Sequence, residues 1–161
     1  MRAFLDHTGF DPRCKRCLDI GPAHGDSLDV LHEQGADECA FIELDLWFFR
    51  HNSLKPYAHG WNYDHFRHLH RLPVRAYDFI WNRGAFASDG RFLRIFGRIG
   101  FSLWLRQVEK RAAPGALIMF CPYRGATEGM VRVLRSRGYK PLPFIAGHNT
   151  DLYPVTWIKY G

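Results

Sequence analysis

The chain has 161 residues, 47% hydrophobic and 16% aromatic, which describes one globular domain and excludes a disordered chain. Its most apolar stretch, CAFIELDLWFF (39–49), carries Glu43 and Asp45 and falls short of the ~18 residues a membrane span needs. The net charge of +6 is uneven: 10 Lys and Arg stand against 13 Asp and Glu over residues 1–90, and 12 against 3 over residues 91–161.

A basic C-terminal half attracts phosphates or anionic partners, although arginines on solvated helix faces give the same count. The first residues, MRAFLDHTGFD, carry no apolar signal core, and there are four cysteines. Reduced thiols in the cytoplasm are therefore expected.

In chain order, RCLDI (16–20) reads as a short strand running into a turn with Gly21 and Gly25. Residues 26–34 follow as a helix, with Asp26 or Ser27 near its start, Leu28 and Leu31 on one face and Gly35 as its stop. CAFIEL (39–44) is a second apolar run, and YDFIWN (77–82) and ALIMFC (116–121) are two more. Continuous apolar runs alternating with helical segments predict an α/β fold in three layers, a mostly parallel sheet covered on both faces.

Residues 89–112 are helical in character, with Phe92, Ile95, Phe96 and Ile99 on one face and Arg91, Arg94 and Arg98 beside it. Gly97 and Gly100 weaken this helix and the phase slips after them, which predicts two pieces. TEGMVRVLRSRG (127–138) is a helix with Thr127 as N-cap and Gly138 as stop. PLPFIAG (141–147) and YPVTWIKY (153–160) read as a terminal hairpin, which adds one antiparallel strand.

A strand, a glycine turn and a helix start together present free backbone N–H groups and the positive end of a helix dipole. Such a turn is either a tight connection or a loop that lets a ligand touch the backbone. The dinucleotide pattern G-x-G-x-x-G fails at Ala23 and Asp26, and no GK[ST] follows for a phosphate loop.

The stretch Asp19-Ile20-Gly21-Pro22-Ala23-His24-Gly25 resembles motif I, D/E-x-G-x-G-x-G, of the class I S-adenosylmethionine-dependent methyltransferases. DECAFIELD (37–45) resembles that family's second strand, YDFIWNRGAF (77–86) its fourth, and APGALIMFCP (113–122) its fifth-strand region. With the terminal hairpin, the resemblance covers roughly residues 16 to 160. It implies a seven-stranded Rossmann-like sheet, S-adenosyl-L-methionine as cofactor, and methyl transfer.

By the same resemblance, Gly21, Ala23 and Gly25 let backbone groups reach the methionine end of the cofactor, and Asp19 fixes the turn or meets the amino group. Glu43 accepts from both ribose hydroxyls. WNYD (61–64) is taken as the third strand, so that Asp64 meets the adenine amino group, and Asn82 lines the pocket near the sulfonium. Ala23 departs from the usual glycine, and Pro22 removes an N–H.

The aromatic segment 46–75, with five of the nine histidines, reads as a substrate lid or as cover for one sheet face. His59, His65, His68 and His70 have no completing carboxylate or cysteine pattern, and Cys14-x-x-Cys17 has no second pair, so no metal is expected. Loops after the fourth, fifth and sixth strands surround the methyl group in this family, which nominates Arg83, Tyr123, Arg124 and His148. His148 or Tyr123 would serve as general base. The fourth strand ends Asn82-Arg83-Gly84, not the Asp/Asn-Pro-Pro-Tyr/Phe of amine methylases.

Only about 15 residues precede the first strand, so the substrate is capped by 46–75 or by a second subunit, in a monomer or a homodimer, or is a macromolecule held outside. The expected protein is a single-domain methyltransferase for a small molecule. RNA methylation by the basic half and a non-catalytic cofactor-binding or partner module are the alternatives.

Overall fold

The continuous apolar runs become strands because a sheet covered on both faces buries alternate residues on opposite sides. The computed structural model describes residues 1–64, 68–87, 91–123, 126–142 and 156–161, excluding the side chains of 84–87, 91–96 and 123. Among these, seven strands form one sheet: β1 (Arg16–Ile20), β2 (Glu38–Ile42), β3 (Ala58–Trp61), β4 (Tyr77–Ala87), β5 (Ala112–Tyr123), β6 (Lys140–Leu142) and β7 (Thr156–Tyr160).

Their order is β3-β2-β1-β4-β5-β7-β6. β1 to β5 pair in parallel, and β7 runs antiparallel to both β5 and β6. The expected antiparallel terminal strand is present, while residues 143–155, which join the pair, lie outside the described residues.

Helices α1 (Arg2–Thr8), α2 (Asp26–Glu33), α3 (Leu46–Ser53), α4 (Arg91–Arg111) and α5 (Glu128–Ser136) complete the layers. On one face Leu18, Ile20, Ile80 and Ile118 pack with Phe101 and Trp104 of α4 and Leu134 of α5. On the other, Cys17, Cys39, Phe79 and Met119 pack with Phe4 of α1 and Leu28 and Leu31 of α2. Each such buried aliphatic or phenylalanine contributes roughly 1.5–3 kcal/mol. The two-residue period of β1 therefore puts Asp19 on the Cys17 side, facing α1 and α2. Phe4 meets Trp81 edge-on at 5.0 Å, which holds α1 against the middle of β4.

Local signals explain the helix ends. The Asp45 side chain accepts from Trp47 N at 2.8 Å and Phe48 N at 3.3 Å and starts α3. Thr127 Oγ accepts from Met130 N at 3.4 Å and starts α5. α4 is kinked at Gly97, with φ 56° and ψ −157°, where the hydrophobic phase slips.

One element is not where the sequence puts it. The third strand is Ala58–Trp61 rather than 61–64, and only Trp61 is shared. Its Gly60 pairs with Phe41 of β2, whose ring occupies the place of the missing side chain. AHGW has no apolar run of its own because its partner supplies the packing. Among the described residues, no helix is long and apolar enough to cross a membrane.

Candidate functional site

The site is built where β1 ends beside the middle of β4, on the α1 and α2 side of the sheet. The turn after β1 uses left-handed backbone at alternate positions: φ is 76° at Gly21, 50° at Ala23 and 79° at Gly25. Gly21 N donates to Ile42 O at 2.9 Å, and Gly25 N donates to Pro22 O at 2.9 Å. At Ala23 this conformation costs about 1–2 kcal/mol, because the Cβ crowds the following carbonyl.

Ala23 is held from two sides. Its N–H donates to Glu43 Oε2 at 3.2 Å, and its carbonyl accepts from Asn52 Nδ2 at 2.8 Å. Asn52, on α3, is fully buried. A Cβ on Gly25 would lie 1.9 Å from Asn52 Oδ1, so the turn needs glycine there for space as well as for φ.

Asp19 is 1% exposed. Its Oδ2 accepts from Ser27 Oγ of α2, and its Oδ1 has no hydrogen-bond partner. Burial pushes its carboxyl up to about 7; the Ser27 bond opposes this, nearby Glu43 adds to it, and the N-terminal ammonium opposes it. That ammonium, on Met1, is lowered by burial first and by Arg83 second. Asn82 is buried beside the end of β1, donating from Nδ2 to Ile20 O at 3.1 Å, and its Oδ1 is also without a partner.

A cavity of about 430 Å³ opens here, with Asp19, Gly21, Ala23, His24, Ser27 and Arg83 in its walls. It thus combines a carboxylate, a guanidinium and a stretch of left-handed backbone. The His24 imidazole lies edge-on to Phe48 at 4.9 Å and to Trp47 at 5.8 Å, which leans α3 against the turn.

No protein-family model matches the sequence, and no curated protein matches it. Solved structures do match by shape. An S-adenosylmethionine-dependent methyltransferase from Mesorhizobium loti superposes with a TM-score of 0.66 at 13% identity, over 97% of this chain and 94% of that one. A SAM-dependent methyltransferase from Archaeoglobus fulgidus gives 0.66 at 13%, over 99% and 92%. A TehB-like SAM-dependent methyltransferase from Corynebacterium glutamicum gives 0.60 at 19%, over 98% and 85%. The chain has the Rossmann-like methyltransferase fold.

Within this methyltransferase fold the sequence-nominated residues fall into three groups. Asp19, Gly21 and Ala23 line the cavity, and Arg83 joins them from β4. Gly25 ends the same turn, and Glu43 is bonded to it: Glu43 Oε2 takes Ala23 N, while Oε1 accepts from Asp45 N at 3.0 Å. Asn82 precedes Arg83 on β4. Asp64 lies three residues past the end of β3, and its carbonyl accepts from His68 N at 2.9 Å. Tyr123 ends β5, but its side chain, like Arg124 and His148, lies outside the described residues.

The segment 46–75 supplies α3 and β3 before the 3-10 turn at Leu69–Arg71. Among the described residues no three His, Cys, Asp or Glu side chains gather around a metal-sized space, and His59 instead approaches Glu38 at 3.2 Å. Sequence reasoning missed Asn52. Its one signal was a polar residue of poor helix propensity three places after Phe49, on the side of α3 that faces the sheet. Nothing local to Asn52 reveals that it reaches a turn 29 residues earlier.

Proposed function

We propose that this chain is an S-adenosyl-L-methionine-dependent methyltransferase acting on a small-molecule acceptor. The observation that carries the reading is the cavity itself. A carboxylate, a guanidinium and exposed turn backbone lining one cavity suit the zwitterionic end of an amino acid. The unpartnered Oδ1 of Asp19 fits an ammonium group, which satisfies a buried acceptor that otherwise has no partner.

In this reading Asp19 holds the amino group, Arg83 the carboxylate, and Gly21, Ala23 and Gly25 give the ligand close approach to the main chain. Glu43 accepts from the ribose hydroxyls, Asp64 from the adenine amino group, and Asn82 borders the sulfonium. When bound, the cofactor supplies a methyl group on a sulfonium, an electrophile that needs an acceptor placed in line and little covalent help. Tyr123 or His148 removes a proton from an acceptor that begins protonated. The 46–75 segment, whose Trp47 and Phe48 pack against His24 of the cavity wall, serves in this reading as the substrate lid.

A small acceptor is favoured over RNA because two arginines of the basic half are matched by carboxylates. Arg132 pairs with Glu128, and Arg137 pairs with Glu109. The four free thiols support a reducing, cytoplasmic setting. Calorimetric titration with S-adenosylhomocysteine tests the reading. Micromolar binding that Glu43→Ala loses supports it, and a wild type that does not bind overturns it. RNA binding that falls steeply with salt, and falls again when Arg132 and Arg135 are neutralised, would replace the small acceptor by RNA.

A further inference from the structure

The turn after β1 has a conformational problem that glycine solves at two of its three left-handed positions. The third, with φ 50°, is Ala23. Left to itself an alanine there relaxes toward negative φ, and the peptides on either side swing with it. Pro22, Ala23 and His24, which these peptides join, line the cavity.

Both polar groups of Ala23 are tied down, each from a different element. Glu43 at the end of β2 takes the N–H, and Asn52 of α3 donates to the carbonyl. The Asn52 carboxamide is fully buried, so water cannot replace the bond it makes. Its Oδ1 sits where a Cβ of residue 25 would be, so the same side chain also fills the space beside Gly25.

Asn52 is rigidly presented. Asp45 caps the start of α3, Phe49 packs on Phe41 of β2 at 5.9 Å, and Lys55 just beyond the helix bonds Asp29 of α2 at 2.5 Å. The helix is thus fixed to β2 and to α2, the helix that follows the turn Asn52 grips.

We propose that Asn52 is the positioning residue of this turn: with Glu43 opposite, it holds Ala23 in the left-handed conformation that keeps the cavity-lining turn set for the cofactor. Asn52 acts through Ala23 and touches no reacting atom. The inference rests on the methyltransferase reading for its ligand, and on the hydrogen bonds alone for its mechanics.

The test is a double-mutant cycle of Asn52→Asp and Ala23→Gly, read by S-adenosylhomocysteine affinity. Aspartate keeps the shape of asparagine and, ionised at pH 8 where the cycle is read, turns the donor facing the Ala23 carbonyl into an acceptor. Asn52→Asp is expected to weaken binding by at least about tenfold in the parent, and by less than about threefold when Ala23→Gly has removed the strain. Such rescue is not expected of a residue that only fills space. Equal losses in both backgrounds, or no loss in the parent, overturn the proposal.

If the parent does not bind the ligand, the methyltransferase reading fails, and the same cycle read by urea midpoint decides the clamp. A larger midpoint drop in the parent than in the Ala23→Gly background supports it, and equal drops overturn it. Should Asn52→Asp fold only together with Ala23→Gly, that is itself the expected rescue. Should neither fold, Ala23→Gly alone decides. An affinity within about threefold of the parent is expected of a residue already held in place, and tightening by more than about tenfold overturns the clamp.

Discussion

Asp19→Asn separates the fold of this protein from its site, because the structure sets the two against each other at that carboxyl. The side chain is 1% exposed and its ionised form is disfavoured by burial, which raises its carboxyl from 3.8 to about 7. A raised folded-state value means that the native protein binds this proton more tightly than the unfolded chain does. Stability from this group is therefore complete below about pH 4 and is lost as pH climbs toward 7. At 1.36 kcal/mol per unit, the loss by pH 8 is on the order of 4 kcal/mol.

Asparagine keeps the shape and the Ser27 contact and never ionises. The variant should match the wild type near pH 4 and exceed it increasingly up to pH 8. Urea unfolding of the ligand-free proteins at pH 5, 6, 7 and 8 measures this directly. The same substitution should weaken S-adenosylhomocysteine between about 10- and 150-fold, since a charge-assisted bond of about 1.5–3 kcal/mol is removed. A stability difference that stays constant with pH, or a variant less stable at pH 8, would refute the reasoning about this carboxyl.

Two further outcomes follow from packing. Gly60→Ala puts a methyl group 2.3 Å from Phe41 Cζ, so it should cost about 1–3 kcal/mol by overpacking. An unchanged urea midpoint would mean that β3 does not pair with β2 in the described register. Of the four free thiols, Cys14 alone is exposed, and burial raises those of Cys17, Cys39 and Cys121. One thiol per chain should react rapidly with an aromatic disulfide at pH 8 and four in denaturant, and a second fast thiol in the native protein would contradict the packing.

The central strands were legible in the sequence because burial on both faces writes a continuous apolar run, and RCLDI, CAFIEL, YDFIWN and ALIMFC are such runs. The capping residue Thr127, the break at Gly97 and the antiparallel last strand were legible for equally local reasons. β3 was not, because AHGW borrows its packing from the Phe41 ring and has no pattern of its own. For the site, the sequence marked the turn from Asp19 to Gly25, since positions that need φ > 0 or close approach favour one residue type.

What only the tertiary structure decided is how that turn is held and what it faces. Asn52 and Glu43 reach Ala23 from two different elements, and the pairing of β1 with β4 brings Arg83 into the same cavity as Asp19. Local spacing determines where a chain can bend and which face it buries. Which distant side chain arrives at the bend depends on the order of strands in the sheet, and that order is settled by packing the whole chain at once.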